Sequence, residues 1–466
     1  MLTPSEIHSH DGNMTRPSAV VGHRMQIALL GLAWFVFVLA VYCPDLGRGF
    51  VKDDFTWIRA AKNALAQPSR ILVPSEPGFY RPLITTSFLL DYRIHRWRPR
   101  GYGWTNLGLY VACTFAVAAL ASAIGLPITA AIIAAFLWAV NPHGINMGVL
   151  WLSGRTSLCL TLFSIGAAWA FAQHKFVWGA VFIGCALGSK EEAVALPFVL
   201  LVWHWLLEDR RRVSVTALLC SVLPLAVYFV LRTRTAAFTL TTAPSFYRLT
   251  ADPALLLRNI GEYLDRSTTL VAFATLLVAG ITQTRCTADA TTKRVALLAS
   301  SWWVGMLAIT IWLPVRSSLY AVGPSVGSAL LGAALIDRLR SCTTVTRRVL
   351  VEPVLAALVV AAIPIYQMRD APWVEGARVS QRTLTKVRED APHLPHAGMI
   401  VLTDQEGETV SNFRNAFGDL STEALQTVFD RKWDVVILDD PDAAPQNVIA
   451  HYRLQSGRIV ELNRGM

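Results

Sequence analysis

Residues 176–207 read FVWGAVFIGCALGSKEEAVALPFVLLVWHWLL. Two apolar runs, 176–188 and 193–207, are separated only by Ser189-Lys190-Glu191-Glu192. A membrane-spanning helix needs about 20 apolar residues, and somewhat fewer when neighbouring helices shield it from lipid. Ionisable residues with almost no loop to hold them are costly at this depth, so they are candidates for function, with each other or a substrate as partner. A structural ion pair is the alternative.

The composition of the whole chain indicates an integral membrane protein. Of its 466 residues, 53% are hydrophobic and 16% are charged, and the mean hydropathy is +0.43. In a soluble domain about a quarter of the residues are charged. Apolar runs recur from residue 26 to residue 366, which excludes a soluble enzyme with a single anchor and a disordered or fibrous chain. The net charge of +10 fits the cytoplasmic loops of a membrane protein better than nucleic acid binding.

We predict about eleven membrane-spanning helices, of which 127–141 and 176–189 are the shortest. They lie near 26–45, 106–124, 127–141, 156–172, 176–189, 193–207, 214–231, 268–283, 295–313, 319–336 and 348–366. The first run is longer than the roughly 7–15 residues of a signal-peptide core, and no small-residue cleavage site follows it. We therefore interpret it as the first span.

Basic residues set the predicted orientation, because cytoplasmic loops carry an excess of Lys and Arg. With the N-terminus in the cytoplasm, the inside loops contain a large group of clustered cations: Lys175, Arg210, Arg211, Arg212, Arg285, Lys293, Arg294, Arg338, Arg340, Arg347 and Arg348. The outer loops are then 46–105 and 232–267. We divide the chain into a cytoplasmic tail (1–25), a multi-pass membrane domain (26–367) and a small extracytoplasmic domain (368–466).

The last part of the chain regains charged residues and predicts a small α/β domain. Strand-like pieces at 399–403, 433–438 and 458–462 alternate with helix-like stretches at 423–429 and 446–452. No 34-residue helical repeat is visible in the sequence. The predicted fold class is therefore an all-α polytopic membrane protein with a small C-terminal α/β domain.

The seven cysteines are scattered, without CxxC or metal-type spacing. Most lie within apolar runs, where a thiol behaves as a small hydrophobic group. We expect neither a disulfide framework nor a zinc site.

Polar motifs at the ends of the predicted spans collect on one face of the membrane. Under the predicted orientation they fall at the outer boundary: Asp53-Asp54, Tyr80-Arg81-Pro82-Leu83, Asn141-Pro142-His143, Ser153-Gly154-Arg155, Ser189-Lys190-Glu191-Glu192 and Arg316-Ser317-Ser318-Leu319-Tyr320. Residues that were merely solvated would be distributed over both faces. We therefore expect the site of chemistry at this boundary.

The acidic pair Asp53-Asp54 is flanked by Phe50, Phe55 and Trp57. Partial desolvation and mutual repulsion can raise the pKa of one carboxyl, so that one acts as general base while the other orients a substrate. Taken alone the pair fits a solvated loop better, and it gains weight from the motifs around it.

The cationic side chains at the same boundary suit a phosphate or pyrophosphate group at the membrane surface, where guanidinium groups bind oxygens bidentately. The alternative is that they anchor the helices at the bilayer boundary. The predicted phosphate-binding residues are Arg81, His143, Arg155, Lys190 and Arg316, and the further site candidates are Tyr80, Glu191, Glu192 and Tyr320. The segment 79–106 mixes apolar and basic residues and predicts an amphipathic helix lying in the outer interface.

Taken together, these motifs resemble the GT-C superfamily of membrane glycosyltransferases, in particular the O-mannosyltransferases that carry tetratricopeptide repeats. The matching stretches are Phe50-Val51-Lys52-Asp53-Asp54, Tyr80-Arg81-Pro82-Leu83, Ser87-Phe88, Asp91-Tyr92, Gly101-Tyr102, Asn106-Leu107, Asn141-Pro142-His143, Gly154-Arg155, Lys190-Glu191, Leu319-Tyr320 and Pro324-Ser325-Val326-Gly327. The likeness covers about residues 26–335 in consistent order.

The resemblance implies a polyprenyl-phosphate-linked sugar as donor and inverting chemistry on the non-cytoplasmic face. It makes Asp53 the general base and Asp54 its partner, with the cations holding the lipid phosphate. We expect no cofactor and no required metal, although a divalent metal stays open. The repeats of those O-mannosyltransferases are absent, which leaves the acceptor open among protein, glycolipid and polymer, and the sugar open among mannose and related ones. The short loops indicate a bacterial inner-membrane protein with its active site and C-terminal domain in the periplasm.

A transporter or flippase of lipid-linked sugars is the alternative, because its cavity also needs cations and acids. Transporters usually show internal duplication and charged or broken helices near mid-membrane. Here the polar residues lie at one face and no repeat joins the two halves. A non-catalytic assembly partner would not need to keep both Asp53 and Asp54. The sequence therefore favours a transferase.

Overall fold

The computed structural model describes residues 17–74, 78–208, 213–239, 241–284, 286–404, 407, 409–440, 445, 447–455 and 457–463. Most of these residues are helical. The helices are α1 Pro17–Val41, α2 Asp54–Ala66, α3 Pro82–His95, α4 Pro99–Ala123, α5 Ile128–Ala139, α6 Ile145–Leu150, α7 Arg155–Ala172, α8 Phe176–Leu187, α9 Leu196–Leu207, α10 Val215–Thr233, α11 Pro253–Thr282, α12 Ala290–Leu307, α13 Pro324–Ser341, α14 Val345–Arg348, α15 Val351–Asp390, α16 Phe413–Phe417 and α17 Ser421–Phe429. The strands are β1 Ala397–Thr403, β2 Lys432–Leu438, β3 Val448–Gln455 and β4 Arg458–Asn463.

A helix occupies most of each predicted span, so the polytopic all-α membrane domain is confirmed. These helices are α1, α4, α5, α7, α8, α9, α10, α11, α12, α13 and α15. By length and composition, six helical stretches among the described residues qualify as membrane spans: Ile27–Asp45, Pro99–Ala123, Leu152–Ala172, Val215–Thr233, Pro253–Thr282 and Val345–His393. Helices α5 and α8 are apolar but shorter.

The short helix α5 lies at the centre of the bundle, where it packs against α4 and α13. Its sequence, ITAAIIAAFLWA, is rich in alanine, and small side chains allow neighbouring helices to approach closely. Trp138 is fully buried and donates its indole N–H to the carbonyl of Val322 at 3.2 Å. Shielding by neighbouring helices explains why so short a helix is stable at this depth.

The segment 79–106 is not one amphipathic helix, and that prediction is wrong. Helix α3 ends at His95 and α4 begins at Pro99, with a break between them in which Arg96 takes a positive φ of 51°. Pro99 explains the break, because the residue before a proline avoids the helical region, whereas proline itself suits the first turn of a helix.

The C-terminal domain contains a four-stranded sheet in the order β2-β1-β3-β4. Strand β1 pairs in parallel with β2 and β3, and β3 pairs with β4 in an antiparallel hairpin. The predicted strands at 399–403, 433–438 and 458–462 and the helix at 423–429 are confirmed.

The helix-like stretch predicted at 446–452 is wrong: Val448–Gln455 forms strand β3. Val448, Ile449 and Tyr452 have high strand propensity, and pairing with strands on both sides satisfies the backbone of β3. A short apolar stretch does not by itself distinguish helix from strand.

A single apolar core joins the C-terminal domain to the segment that contains α2 and α3. Phe55 of α2 packs against Phe417 with ring centroids 5.9 Å apart, and the same core contains Phe88 and Trp433. The predicted domain boundary at 367/368 falls inside α15, a helix of 40 residues that leads from the bundle into this domain. The shared core fixes the start of α2, where Asp53 and Asp54 lie.

Cys286 and Cys342 form a disulfide, a single pair that the expectation of no disulfide framework did not foresee. The two residues lie 56 positions apart, Cys286 before α12 and Cys342 directly after α13. The cysteine spacing gives no sign of this pair, because it is the packing of α12 against α13 that brings the two sulfurs together.

Candidate functional site

Asp54 is a buried structural carboxylate at the start of α2. Its Oδ1 accepts hydrogen bonds from the backbone N–H of Ser153 at 2.7 Å and from the Ser153 hydroxyl at 2.6 Å. Its Oδ2 accepts from the N–H of Val51 at 2.9 Å. Burial raises the pKa of Asp54 to about 6, and the bonds from Ser153 and Val51 oppose that rise. With both oxygens occupied, Asp54 ties the loop before α2 to the turn before α7.

Asp53 has the opposite environment. It is exposed, and no hydrogen bond or ion pair within the described part of the chain joins its carboxylate to another residue. Although Asp53 precedes α2, its side chain does not cap that helix. Partial loss of hydration beside the surrounding protein raises the pKa of the Asp53 carboxyl, and the positive charges of Arg81 and Lys52 limit that rise. Asp53 is therefore available to accept a proton.

Arg81 lies close enough to Asp53 to act on its charge, and it is held by Glu191. Its Nε and Nη2 donate to Glu191 Oε2 at 2.9 and 2.6 Å, which leaves Nη1 without a hydrogen bond to the described residues. The guanidinium also lies over the ring of Phe79, 4.2 Å from its centroid. Arg232 approaches the other oxygen of Glu191 at 3.7 Å. Burial tends to raise the pKa of Glu191, but Arg81 outweighs it and lowers the pKa below its usual range.

Lys190 forms the second ion pair of the same region. Its Nζ lies 2.7 Å from Glu192 Oε1 and donates to the Ser157 hydroxyl at 3.0 Å. The ammonium also lies 4.5 Å from the ring centroid of Tyr320. Burial lowers the pKa of Lys190, and Glu192 opposes that shift. The short turn between α8 and α9 thus carries both acids that hold the two cations.

We call Asp53, Arg81, Lys190, Glu191 and Glu192 the Asp53 cluster. The charges of its members act on one another, although they come from sequence segments up to about 140 residues apart. The arrangement combines one free carboxylate with two cations that are neutralised inside the protein. Such a cluster can accept a proton and stabilise an anion at neighbouring positions.

Arg155 does not have an open face for a ligand. It is fully buried, and its Nη2 lies 2.7 Å from Asp91 Oδ2. Its Nε donates to Asn106 Oδ1 at 2.9 Å. Its Nη1 donates to the Ser87 hydroxyl at 3.1 Å, and its Nη2 donates to the Tyr102 carbonyl at 3.2 Å. These contacts give every guanidinium nitrogen of Arg155 a partner, and its predicted contact with phosphate stays a prediction.

His143 and Arg316 belong to a neighbouring group of charges. His143 Nδ1 lies 3.2 Å from Arg369, and burial together with that arginine lowers the pKa of His143 to about 4. The imidazole is therefore neutral at physiological pH. Arg316 forms an ion pair with Glu262, which also binds Arg266 at 3.1 Å.

Of the two tyrosines predicted as site candidates, Tyr320 contacts the Asp53 cluster through Lys190, whereas Tyr80 packs against Tyr228. Tyr80 is buried against Tyr228, with ring centroids 5.9 Å apart. Tyr320 contacts Lys190 and also Tyr263, whose ring lies 6.1 Å away.

The sequence did not identify Arg232, Tyr247 or Ser157 as site residues. Tyr247 packs its ring 5.4 Å from Phe79, and the charges of Arg81 and Asp53 act on its phenol. The signal for Tyr247 was weak, because it lies in the outer loop 232–267 between residues of ordinary loop composition. No signal in the sequence marked Ser157, because a serine inside an apolar helix is common.

The fold is similar to that of a protein of known structure, ArnT. No family model matches the chain. ArnT from Cupriavidus metallidurans bound to undecaprenyl phosphate superposes with a TM-score of 0.54, at 11% sequence identity, over 93% of this chain and 90% of that one. The apo structure of the same protein gives a TM-score of 0.54 at 13% identity, over 91% and 87% of the two chains. This chain has the GT-C fold.

A relative in sequence matches a smaller region of the chain. Protein O-mannosyl-transferase Tmtc1 of Drosophila melanogaster is 29% identical in an alignment of 207 residues that covers 40% of this chain and 24% of that protein. The matched region thus represents about a quarter of the length of Tmtc1. The predicted resemblance to an O-mannosyltransferase and the predicted GT-C-like fold are confirmed as similarities in sequence and in fold.

Proposed function

We propose that this GT-C protein is a glycosyltransferase that moves a sugar, mannose or a related one, from a polyprenyl-phosphate-linked donor to an acceptor hydroxyl. The observation that carries the proposal is the Asp53 carboxylate, which is exposed and unpartnered among the described residues, beside Arg81. A general base has to reach the proton that it removes, and Asp53 meets that condition whereas the enclosed Asp54 does not. The undecaprenyl phosphate bound to ArnT supports a donor of this class.

In the proposed reaction the Asp53 carboxylate accepts the proton of the acceptor hydroxyl while that oxygen bonds to the anomeric carbon. The bond from the anomeric carbon to the phosphate oxygen breaks, and polyprenyl phosphate leaves with the electron pair. A single displacement of this kind inverts the anomeric configuration. A positioned base of this type contributes about 10²- to 10⁴-fold to a rate.

Arg81 and Lys190 stabilise the leaving phosphate in this mechanism. Arg81 has its Nη1 available, and Lys190 is held against Tyr320 and Ser157. Before the donor binds, Glu191 and Glu192 neutralise the two cations, which removes the cost of burying unpaired charge. Because these cations supply positive charge beside the leaving group, we expect the step to proceed without a divalent metal.

Two residues that the sequence assigned to direct roles act through position instead. Asp54 fixes the loop that carries Asp53, by way of Val51 and Ser153. Arg155 holds Asp91 and Asn106 in place, and Asn106 in turn donates to backbone carbonyls of 148–152. His143 and Arg316 lie in the adjoining charge group, where His143 is neutral and Arg316 is paired with Glu262.

We propose that the cluster lies on the non-cytoplasmic side, in a bacterial inner membrane with the C-terminal domain in the periplasm. The asymmetry of basic residues in the sequence supports this orientation. The core shared by the C-terminal domain and α2 places that domain at the same end of the bundle as Asp53. The domain is therefore positioned to receive an acceptor, whether protein, glycolipid or polymer.

A panel of polyprenyl-phosphate sugars offered to the detergent-purified protein tests the proposal. We expect one donor to be consumed with release of polyprenyl phosphate. The same panel is offered to Asp53→Asn. The matched control for that variant is Asp434→Asn, because Asp434 is an exposed acidic residue of strand β2. Reconstitution into vesicles distinguishes a transferase from a flippase of lipid-linked sugars. Movement of intact donor across the bilayer without release of polyprenyl phosphate would identify a flippase and overturn the proposal.

A further inference from the structure

A second cluster of ligand-type side chains lies at the far ends of the two helices that flank Lys190. His174 is in the turn between α7 and α8, His204 is in the last turn of α9, and Glu208 follows that helix. Their ligand atoms all lie within 4.8 Å of one another. His174 Nε2 is 3.2 Å from Glu208 Oε1, and the two imidazole centroids are 6.2 Å apart with planes at 80°.

The geometry is close to that of a bound transition-metal ion. Zinc binds histidine nitrogen and carboxylate oxygen at about 2.0–2.2 Å, so two tetrahedral ligands lie about 3.4 Å apart. The His174–Glu208 contact already has that separation. The longest separation in the cluster has to shorten by about 1.4 Å, which rotation of the exposed His174 and the half-buried Glu208 allows.

Neighbouring side chains hold His174, His204 and Glu208 in place, and the side on which His174 lies is open to solvent. His204 is buried, and the ring of Phe176 packs edge-on against both imidazoles, at 5.3 Å from His204 and 6.0 Å from His174. The ammonium of the adjacent Lys175 lies over the ring of Trp169, 4.8 Å from its centroid, and so has a different partner. His174 takes a positive φ of 56°, a conformation that is uncommon for a residue other than glycine.

We propose that His174, His204 and Glu208 bind one divalent transition-metal ion, with Zn²⁺ as the preferred ion. Two neutral imidazoles and one carboxylate are a ligand set that zinc uses, and they leave a fourth position for water. The ion ties the turn between α7 and α8 to the end of α9. This role is structural and does not depend on the proposed glycosyl transfer.

The position of the site indicates how a bound ion would stabilise the arrangement of α8 and α9. Helices α8 and α9 have 12 residues each, which corresponds to about 18 Å along each helix. Their near ends border the turn that carries Lys190, Glu191 and Glu192, and their far ends border the metal ligands. An ion that holds the far ends together therefore limits the relative motion of the two helices that position the Asp53 cluster.

The test uses the full-length protein purified with a tag that contains no histidine and stripped with a chelator. Co²⁺ is titrated while the visible absorption of tetrahedral cobalt is recorded, and Zn²⁺ is then added in competition. We expect one equivalent of Co²⁺ to bind, Zn²⁺ to displace it, and Zn²⁺ to raise the melting temperature by mass action.

Variants separate this site from adventitious binding. His174→Ala and Glu208→Gln change residues outside the apolar core, so they keep the fold even if His204→Ala does not. Each should weaken Co²⁺ binding by about tenfold or more. His396→Ala is the control, because His396 is an exposed histidine of the C-terminal domain and should bind like wild type. Either the absence of saturable Co²⁺ binding or unchanged binding by His174→Ala would overturn the proposal.

Discussion

Replacing Arg155 by methionine separates a structural arginine from one that binds phosphate. The sequence placed this residue among the donor ligands, whereas the structure buries it completely against Asp91, Asn106 and Ser87. Methionine fills a similar length of apolar space but removes the charge and all the hydrogen bonds. The variant therefore leaves Asp91 as a buried carboxylate without its counter-ion.

The expected cost follows from these contacts. Removing one partner of a buried ion pair costs about 3–5 kcal/mol, because the other charge stays in the interior. The Oδ1 of Asn106 also loses its donor, which adds about 1–3 kcal/mol for an unsatisfied buried acceptor. The double variant Arg155→Met/Asp91→Leu should recover much of this loss, since apolar replacement of both partners is often close to neutral.

Thermal unfolding in detergent, followed by tryptophan fluorescence, measures the effect. Arg316→Met is the matched control, because Arg316 is 30% exposed and removal of an exposed ion pair costs about 0–1 kcal/mol. We expect Arg155→Met to melt several degrees below that control. If Arg155→Met melts together with Arg316→Met and only its affinity for the polyprenyl-phosphate donor falls, the structural assignment of Arg155 is wrong.

Three further predictions concern Asp53, Arg81 and the contact between Ser153 and Asp54. The base acts when ionised, so activity is present above the pKa of Asp53 and lost as pH falls through it. Because that pKa is raised in the ligand-free protein, the acid limb of the kcat/KM profile should lie above the usual Asp value of about 3.9. Arg81→Lys cannot reproduce the paired Nε and Nη2 contacts, so donor KM should rise by about tenfold, whereas an unchanged KM would count against phosphate binding by Arg81. Ser153→Ala removes the hydroxyl that donates to Asp54 and should lower stability by about 1.5–3 kcal/mol, and a melting curve that matches wild type would contradict the anchoring role of Asp54.

Hydrophobic runs and span-end motifs allowed much of the fold to be predicted from the sequence. Each apolar run became a helix, because a backbone in lipid has to satisfy its own hydrogen bonds. The concentration of ionisable residues at one end of the bundle was also visible, and Asp53, Arg81 and Lys190 do lie together there.

What the sequence could not give was the partner of each charged side chain. Arg81 and Glu191 are 110 residues apart, and Arg155 and Asp91 are 64 apart. Only the packed bundle shows that, among the described residues, Arg81 Nη1 has no hydrogen-bond partner whereas every guanidinium nitrogen of Arg155 has one. Asp53 and Asp54 are adjacent and chemically identical, yet the first turn of α2 directs one outward and the other into contact with Ser153. Strand β3 was missed for a related reason, since its conformation depends on pairing with β1 and β4.

The most direct test of the account is the single-turnover rate of Asp53→Asn with the donor that wild type consumes. Asparagine keeps the size of the side chain but cannot accept the proton, so release of polyprenyl phosphate should slow by about 100-fold or more. Donor binding and melting temperature should stay close to those of wild type, because Asp53 has no side-chain partner among the described residues. A rate equal to that of wild type and of Asp434→Asn would show that Asp53 is not the base.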